Sequence, residues 1–521
     1  MADWFKETIL SPVGSFINGW GWLSGKASAT VINSATGVTR NRPHPWSTLS
    51  DYTSWDSLTD KTYSARQLPA ATVPVQPSPD AVKQLFTRPA GSAGRLSNKS
   101  TCLFPAFAQY LTDGFIRTNP SDPKRTTTNH EIDLCPLYGL NRKQTKCLRL
   151  NVEDSGKKGR LKSQMIGTEE YPPFLYPNGS DTPDPNFADL DLPLFAPGGA
   201  PQTPPPRPAR DTIFAVGGDR VNSTPFSAMM NTLFLREHNR IAGELDRQNP
   251  TWDDERVFQT ARNIVIPIFI KIVLEDYINH ITPLPFSLRA EPSVAWDAKW
   301  NRPNWITAEF SLLYRWHSLM PDAIQWPTGD IPIGVFTLNN KPLLDVGLDQ
   351  AFAAASAQKA GELGAFNTAP ALIDIEMFAI IQARRNRIDT YNRYRVEFGM
   401  DPVTEFEQIS SDPAVRSVLE QLYQRPENVE FYPGLFAEDR IEDSPLPGLL
   451  MRMVAVDAFS QALTNPLLSE HVFNKDTFTQ WGLDLIDVTS KLEDVLRRNG
   501  PTRDLPPIEM TQADWRYGAG G

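Results

Sequence analysis

Met230, Leu233, Phe234, Ile241 and Leu245 recur at the spacing of one helix face, and Asn249-Pro250 closes that segment, since proline cannot donate the next backbone hydrogen bond. Thr251-x-x-Asp254 has the pattern of a capping box, and it predicts a second helix running through Ile264-Val265-Ile266-Pro267-Ile268-Phe269-Ile270 to about His280. The apolar run ends at Lys271 and is far too short to span a bilayer, so it is expected in a protein core with a kink at Pro267. Further helical patterns lie over Ala369 to Phe398, Asp412 to Gln424, Leu446 to Leu463 and Asp476 to Arg498. No series of alternating strands and no internal repeat interrupts them. A mainly α fold with little β structure follows. Prolines crowd the segment from Glu170 to Asp211, which is expected to be irregular, on the surface and without helix.

A chain of 521 residues has room for two or three average domains or one large helical enzyme domain with a buried pocket. Its net charge of −10 argues against a nucleic-acid partner. Cys102, Cys135 and Cys147 form no Cys-x-x-Cys pair and cannot all be bridged, which points to a reducing compartment, the cytoplasm. The first residues lack the basic start, apolar core and cleavage site of a secretory signal, and no transmembrane helix is expected. Residues 1–45 form a segment of their own, holding Trp4, Phe5, Ile9, Leu10, Phe16, Ile17, Trp20, Trp22 and Leu23. Indole rings favour the membrane interface, so this stretch reads either as a monotopic, peripheral anchor or as a cover for the main domain.

Tyr314 and His317 stand three residues apart in Glu309-Phe310-Ser311-Leu312-Leu313-Tyr314-Arg315-Trp316-His317, a spacing that puts both rings on one face of a helix. An imidazole can hold haem iron through one ring nitrogen while the other donates to a neighbour. A phenol beside that haem can be oxidised to a radical and then take a hydrogen atom from a C–H bond. The plainer reading is two aromatic rings packed in a core. The stretch resembles the proximal segment of the haem-dependent fatty-acid dioxygenases, the group of cyclooxygenases, plant α-dioxygenases and fungal linoleate diol synthases.

The resemblance extends along residues 51 to 410. Tyr52-Thr53-Ser54-Trp55-Asp56, Phe107-Ala108-Gln109, Leu137-Tyr138-Gly139, Leu235-Arg236-Glu237-His238-Asn239-Arg240 and Gln382-Ala383-Arg384 follow the order of the animal-type haem peroxidase superfamily. It implies a large helical, cyclooxygenase-like catalytic domain over residues 46–521, with haem b as cofactor and His317 as proximal iron ligand. Tyr314 is then the radical residue, and Phe310 and Leu313 line the substrate channel. Ala458-Phe459-Ser460 resembles the segment with a channel serine, although its distance to Asn465-Pro466 is two residues shorter than in cyclooxygenases. His238 falls in a structural helix of the family, with packing as its expected work. The implied partners are a fatty acid, O2 and a hydroperoxide activator, and the resemblance admits a homodimer.

The distal side departs from the family. Gln109 matches the distal glutamine, but Asp113 stands where the family has the histidine that moves a proton between peroxide oxygens. A carboxylate with a pKa of about 3.9 accepts protons poorly at neutral pH unless burial raises it. Arg220 resembles the distal arginine of mammalian peroxidases, placed to stabilise charge on the leaving oxygen, and close to Asp113 it would hold that carboxylate ionised. The glutamate that esterifies haem in those peroxidases is replaced by Ser223, so the haem is expected to be non-covalent. No arginine clearly matches the one that pairs with the substrate carboxylate in cyclooxygenases. Counting back from Trp55 puts Thr36 near that place, with Arg40 and Arg42 close by, so prostaglandin formation does not follow. The expected activity is fatty-acid oxygenation primed by peroxide, with weak or absent peroxidase turnover. The rivals are a peroxidase of small reductants and a non-enzymatic haem protein.

Overall fold

The computed structural model describes residues 11–37, 49, 54–119, 121–177, 179–193, 206–500 and 504–518. The long helix spans Pro225–Gln248. Thr224 caps it by accepting a hydrogen bond from the Ser227 amide, Pro225 occupies a first-turn position where no N–H is needed, and Asn249 ends it. The next helix, Asp254–Ile272, is capped by Asp253 and not, as the capping-box pattern suggested, by Thr251, because the Asp253 carboxylate takes the Arg256 amide. Pro267 sits inside the regular helix, and the winding changes only at Val273–Ile278, a π-helical stretch followed by a last turn, Asn279–Ile281. Local widening of this kind often marks a functional site.

These two helices pack on each other and on Leu103–Asp113. Phe269 is the pivot, with ring centroids 5.1 Å from Phe234, 5.4 Å from Phe107 and 6.0 Å from Tyr110. By length and apolarity the stretch Asp254–Ile281 passes for a membrane span, yet 78% of its apolar window is buried inside the protein. It is a core helix, as expected. The C-terminal helix Leu492–Asn499 is tied to the long helix through Glu237, whose carboxylate accepts from Arg240, Arg498 and Asn499. Burial works against that charge, but these donors win and hold the Glu237 carboxyl below its ordinary range.

Two predicted helices are broken. The region 369–398 holds Ile373–Arg385 and Tyr391–Glu397, separated by Arg387 at φ 54°. The region 476–498 holds Lys475–Val488 and Leu492–Asn499, and Thr479 interrupts the first with φ 64° and ψ 163°. The stretches Pro413–Tyr423 and Gly448–Leu463 form where periodicity placed them. Among the described residues, strands occur in three two-stranded antiparallel sheets, Leu96–Thr101 with Lys359–Gly361, Gln164–Ile166 with Glu169–Tyr171, and Ala323–Trp326 with Gly329–Pro332. The described part of the proline-rich segment begins in the strand Glu169–Tyr171 and has no α-helix, only the short 3-10 turns Pro185–Phe187 and Ala209–Thr212. All three cysteines are free. At the N-terminus, helices Ser11–Asn18 and Gly21–Thr36 precede the domain, and the second packs against Gly448–Leu463. Trp4, Phe5, Ile9, Leu10, Arg40, Arg42 and His44 lie outside the described residues.

Candidate functional site

The helix carrying the Tyr-x-x-His motif is shorter than the spacing predicted. Thr307 caps Ala308–Leu313, Tyr314 is already the C-cap with φ −99° and ψ 28°, and His317 opens a separate 3-10 turn, His317–Leu319. The two side chains therefore do not share one face of one helix. The cause is tertiary: Trp316, at φ −93° and ψ 44°, inserts its indole against Phe104 at 5.4 Å and Tyr314 at 4.9 Å, with Tyr277 at 6.5 Å. Burying an indole among three rings outweighs the modest helix propensity of three residues.

Hydrogen bonding sorts the histidines. His238 is buried with both ring nitrogens used, Nδ1 by the Tyr138 hydroxyl at 2.9 Å and Nε2 by the Gly159 carbonyl at 2.8 Å. Burial depresses it to about 3, so it is neutral, in the packing role expected of it. His130 is held between the Lys61 carbonyl and the Ile306 amide, and His280 between the hydroxyls of Ser100 and Thr511. His471 is exposed. At His317, Nδ1 donates to Glu376 Oε1 at 3.1 Å, and Nε2 has no hydrogen-bond partner among the described residues. Among the described residues that leaves His317, partly exposed, as the imidazole inside the fold with a nitrogen available to iron. No group of three or more His, Cys, Asp or Glu among the described residues forms an alternative metal centre.

Glu376, on the helix Ile373–Arg385, is 1% exposed. Its Oε1 also accepts from Thr368 Oγ1 at 2.9 Å, and its Oε2 accepts from the Tyr432 hydroxyl. Opposite in character is Asp113, at the end of Leu103–Asp113, 4% exposed with Oδ2 unpartnered. Burial pushes its carboxyl up to about 7, against the pull of Arg220, with Asp219 adding to the rise and Arg117 and Arg315 opposing it. The expectation that Arg220 would hold Asp113 ionised is thus reversed: desolvation outweighs the arginines. Arg220 itself donates to the Ile116 carbonyl at 2.8 Å. Gln109 Nε2 donates to Ser223 Oγ at 2.6 Å, which brings two of the sequence-predicted positions into contact.

Arg315 connects these groups. Its Nη2 donates to Gln382 Oε1 at 3.0 Å, while its Nε is buried without a partner. Burial lowers its pKa to about 10, Arg220 adding and Tyr432, Glu376 and Asp113 opposing, so it feels both the Asp113 side and the Glu376 side. Gln382 in turn donates to Ser311 Oγ at 2.8 Å and lines a small polar cleft with Arg117, Thr118, Ser311 and Asn386. The donor set fits a haem: one imidazole nitrogen without a partner among the described residues and two orphaned buried polar atoms, Asp113 Oδ2 and Arg315 Nε.

Tyr314 packs its ring on Phe310 at 4.8 Å, and Phe310 meets Phe115, two residues past Asp113, at 5.0 Å. Leu313 is fully buried beside them. Burial raises the Tyr314 pKa above the ordinary phenol range, Tyr277 opposing and Asp457 adding to the rise. Ser460 is 1% exposed, and its hydroxyl turns back to the Asp457 carbonyl at 3.3 Å on its own helix, so no hydrogen bond joins it to Tyr314. Thr36 is buried and likewise bonded within its helix, to the Ile32 carbonyl. Sequence reasoning missed Glu376, Arg315, Tyr277 and Asp457. Arg315 lay inside the motif and Asp457 three residues before Ser460, but nothing local signalled Glu376.

Residues 117–511 match the model of the animal haem peroxidase family. Prostaglandin G/H synthase 1 of Mus musculus is 31% identical over 495 residues, covering 91% of this chain and 76% of that protein. Among solved structures, a fatty acid alpha-dioxygenase variant of Oryza sativa with palmitic acid superposes with a TM-score of 0.68 at 16% identity, covering 99% of this chain and 96% of the other. Peroxidase A of Dictyostelium discoideum superposes with a TM-score of 0.66 at 18% identity, covering 92% and 98%. At those identities the two structures speak to the fold.

Proposed function

The chain belongs to the animal haem peroxidase family, whose members bind haem, and from that premise we propose that it is a fatty-acid dioxygenase in which Tyr314 carries the reacting radical. The observation that carries the reading is a partly buried tyrosine packed between Phe310 and Trp316, three residues before the histidine whose Nε2 has no hydrogen-bond partner among the described residues. A haem b held non-covalently by His317 would supply, once a hydroperoxide has reacted with it, the one-electron oxidant for the phenol. Ser223, engaged by Gln109, offers no carboxylate for an ester to the haem.

At the protein, Tyr314 gives up one electron and its hydroxyl proton to become a phenoxyl radical. The radical takes a hydrogen atom from an acyl C–H bond, leaving a carbon radical to which O2 adds. The peroxyl product takes the phenolic hydrogen back, yielding a hydroperoxide and restoring the radical. One activation therefore serves many turnovers, which makes slow priming tolerable. The Phe310 and Trp316 rings packed on Tyr314 limit the access of water that would otherwise quench the radical. Gln109 and Arg220 stabilise charge on the departing peroxide oxygen and Asp113 moves the proton during priming.

Oxygen uptake tests the proposal, using haem-loaded protein with oleic, linoleic and arachidonic acids, with and without a trace of hydroperoxide. Uptake in the wild type and none in Tyr314→Phe, with the haem spectrum unchanged, is the expected outcome. Uptake equal in both proteins would remove Tyr314 from the mechanism. A second reading, a peroxidase of small reductants, gains from Asp113, since a carboxyl near 7 is a workable proton acceptor at neutral pH. Fast peroxide-dependent dye oxidation with no uptake on any fatty acid would select it.

We further propose that the N-terminal segment of residues 1–45 meets a membrane surface peripherally. Trp20 and Trp22 are 54% and 61% exposed, and Lys26 lies over the Trp22 ring at 5.4 Å, an amphipathic pair suited to the headgroup region. Flotation with phosphatidylcholine vesicles should be lost in Trp20→Ser/Trp22→Ser; flotation unchanged by that pair would leave those indoles as surface cover.

A further inference from the structure

Glu376 is the most fully bonded carboxylate near the site, and its place on the histidine is unusual in its consequence. Three donors converge on it: His317 Nδ1 at 3.1 Å and Thr368 Oγ1 at 2.9 Å on Oε1, and the Tyr432 hydroxyl on Oε2. The carboxylate is 1% exposed and the Tyr432 side chain is fully buried. A hydrogen bond from an imidazole N–H to a buried carboxylate is stronger in a low-dielectric setting than one between two neutral groups, and it draws the Nδ1 proton away from the ring. The ring then carries partial imidazolate character, which appears at the other nitrogen as greater basicity.

We infer that Glu376 is a positioning residue that makes His317 a strong electron donor to the iron. The inference rests on His317 being the iron ligand. Glu376 fixes the tautomer and the orientation of the ring, because only the Nδ1–H form satisfies the carboxylate, so Nε2 carries the lone pair. The same charge favours the ferric over the ferrous state. Thr368 and Tyr432 set the strength of the effect, since each hydrogen bond they donate withdraws charge from the carboxylate before it reaches the imidazole. Removing the acceptor and removing its donors therefore push the iron in opposite directions. A carboxylate that merely braced the fold would show no such reversal.

The experiment uses haem-loaded full-length protein and two readouts other than turnover, the iron–histidine stretching band of the ferrous form in resonance Raman and the reduction midpoint by spectroelectrochemistry. Glu376→Gln should lower the stretching frequency and raise the midpoint, on the order of tenfold in the ferric-to-ferrous ratio, or about 59 mV for one electron. Tyr432→Phe should move both in the opposite direction by a smaller amount, and Thr368→Val should follow Tyr432→Phe. If Glu376→Gln retains no haem, the two donor variants decide the matter against the wild type alone. An unmoved band and midpoint in the haem-bound variants, or shifts of one sign in all three, overturns the inference. A wild type that binds haem but shows no iron–histidine band, and binds it equally well after His317→Ala, overturns the ligand assignment beneath it, a result distinct from the first.

Discussion

The Glu376 side and the Asp113 side of the site are built from the same kind of group, a buried carboxyl, and treated in opposite ways. Glu376 has both oxygens engaged by three donors from separate parts of the chain, His317, Thr368 and Tyr432. Asp113 has an oxygen with no partner, near an arginine, Arg315, whose Nε has none either. A buried polar atom left unpaired costs on the order of 1–3 kcal/mol, so neither of these two adds to the stability of the fold. The satisfied carboxylate holds a neighbour still. The unsatisfied one has an oxygen without a partner and a carboxyl pushed up to about 7 by burial.

The largest test of that contrast removes the held neighbour. His317→Ala should abolish the haem Soret absorbance at concentrations where the wild type saturates, because the other described histidines have their nitrogens committed or stand exposed. Haem binding that survives the change with an unaltered spectrum would place the ligand elsewhere. Next in size is Asp113. A proton acceptor must be unprotonated, so with its carboxyl near 7 the rate of peroxide consumption should climb as pH rises through about 7 and level off above. Asp113→Asn should cut that rate by roughly 100-fold or more and erase the inflection, since positioned acid–base groups contribute about 10²–10⁴. Stopped-flow peroxide consumption between pH 5 and 9 checks both. A flat wild-type profile would mean that Asp113 moves no proton.

The same substitution has a stability signature of definite sign. The folded Asp113 carboxyl lies near 7 and its ordinary value is 3.8, so the folded state binds the proton more tightly. Its penalty is absent below 3.8, grows as pH rises and is complete above about 7. Asp113→Asn should therefore stabilise the haem-free protein at pH 8, on the order of 2–4 kcal/mol, and have little effect near pH 3. Arg220→Leu should move the kinetic inflection to higher pH, because Arg220 is the charge that most opposes the rise. An inflection that moves down would show that Arg220 reaches Asp113 through something other than its charge.

Much of this architecture was legible along the chain, and its gaps have a common physical origin. The helix Pro225–Gln248 could be read because its stop, its proline start and its apolar face are local signals. Tyr314 and His317 could be picked out as chemistry from the motif and its family likeness, but their shared helix face could not be trusted, since the Trp316 indole is captured by Phe104, Tyr277 and Tyr314. Asp113 stood out as a mismatch, while its proton affinity depends on burial and on the sum of four charged neighbours, which no spacing encodes. Glu376 comes 59 positions after His317 and carries no motif of its own. Its role exists only because the fold closes those positions into one hydrogen bond.

The smallest expected effect makes the sharpest comparison with Asp113. Thr368→Val keeps nearly the same volume and deletes one hydroxyl from the satisfied carboxylate, so it leaves Glu376 Oε1 with His317 alone. A single hydrogen bond to a buried charge contributes about 1.5 kcal/mol, and its loss should lower the stability of the haem-free protein by about that amount in a denaturant titration. Asp113→Asn, which also removes a polar feature from a buried carboxyl, is expected to do the reverse at pH 8. Nor should Thr368→Val shift the pH at which peroxide consumption inflects, because that inflection belongs to Asp113 and Thr368 is not among the groups that shift it. Opposite signs in stability with one unchanged inflection would establish that the two carboxyls, joined electrically through Arg315, do separate work: one paired to hold a ring, the other left open to move a proton.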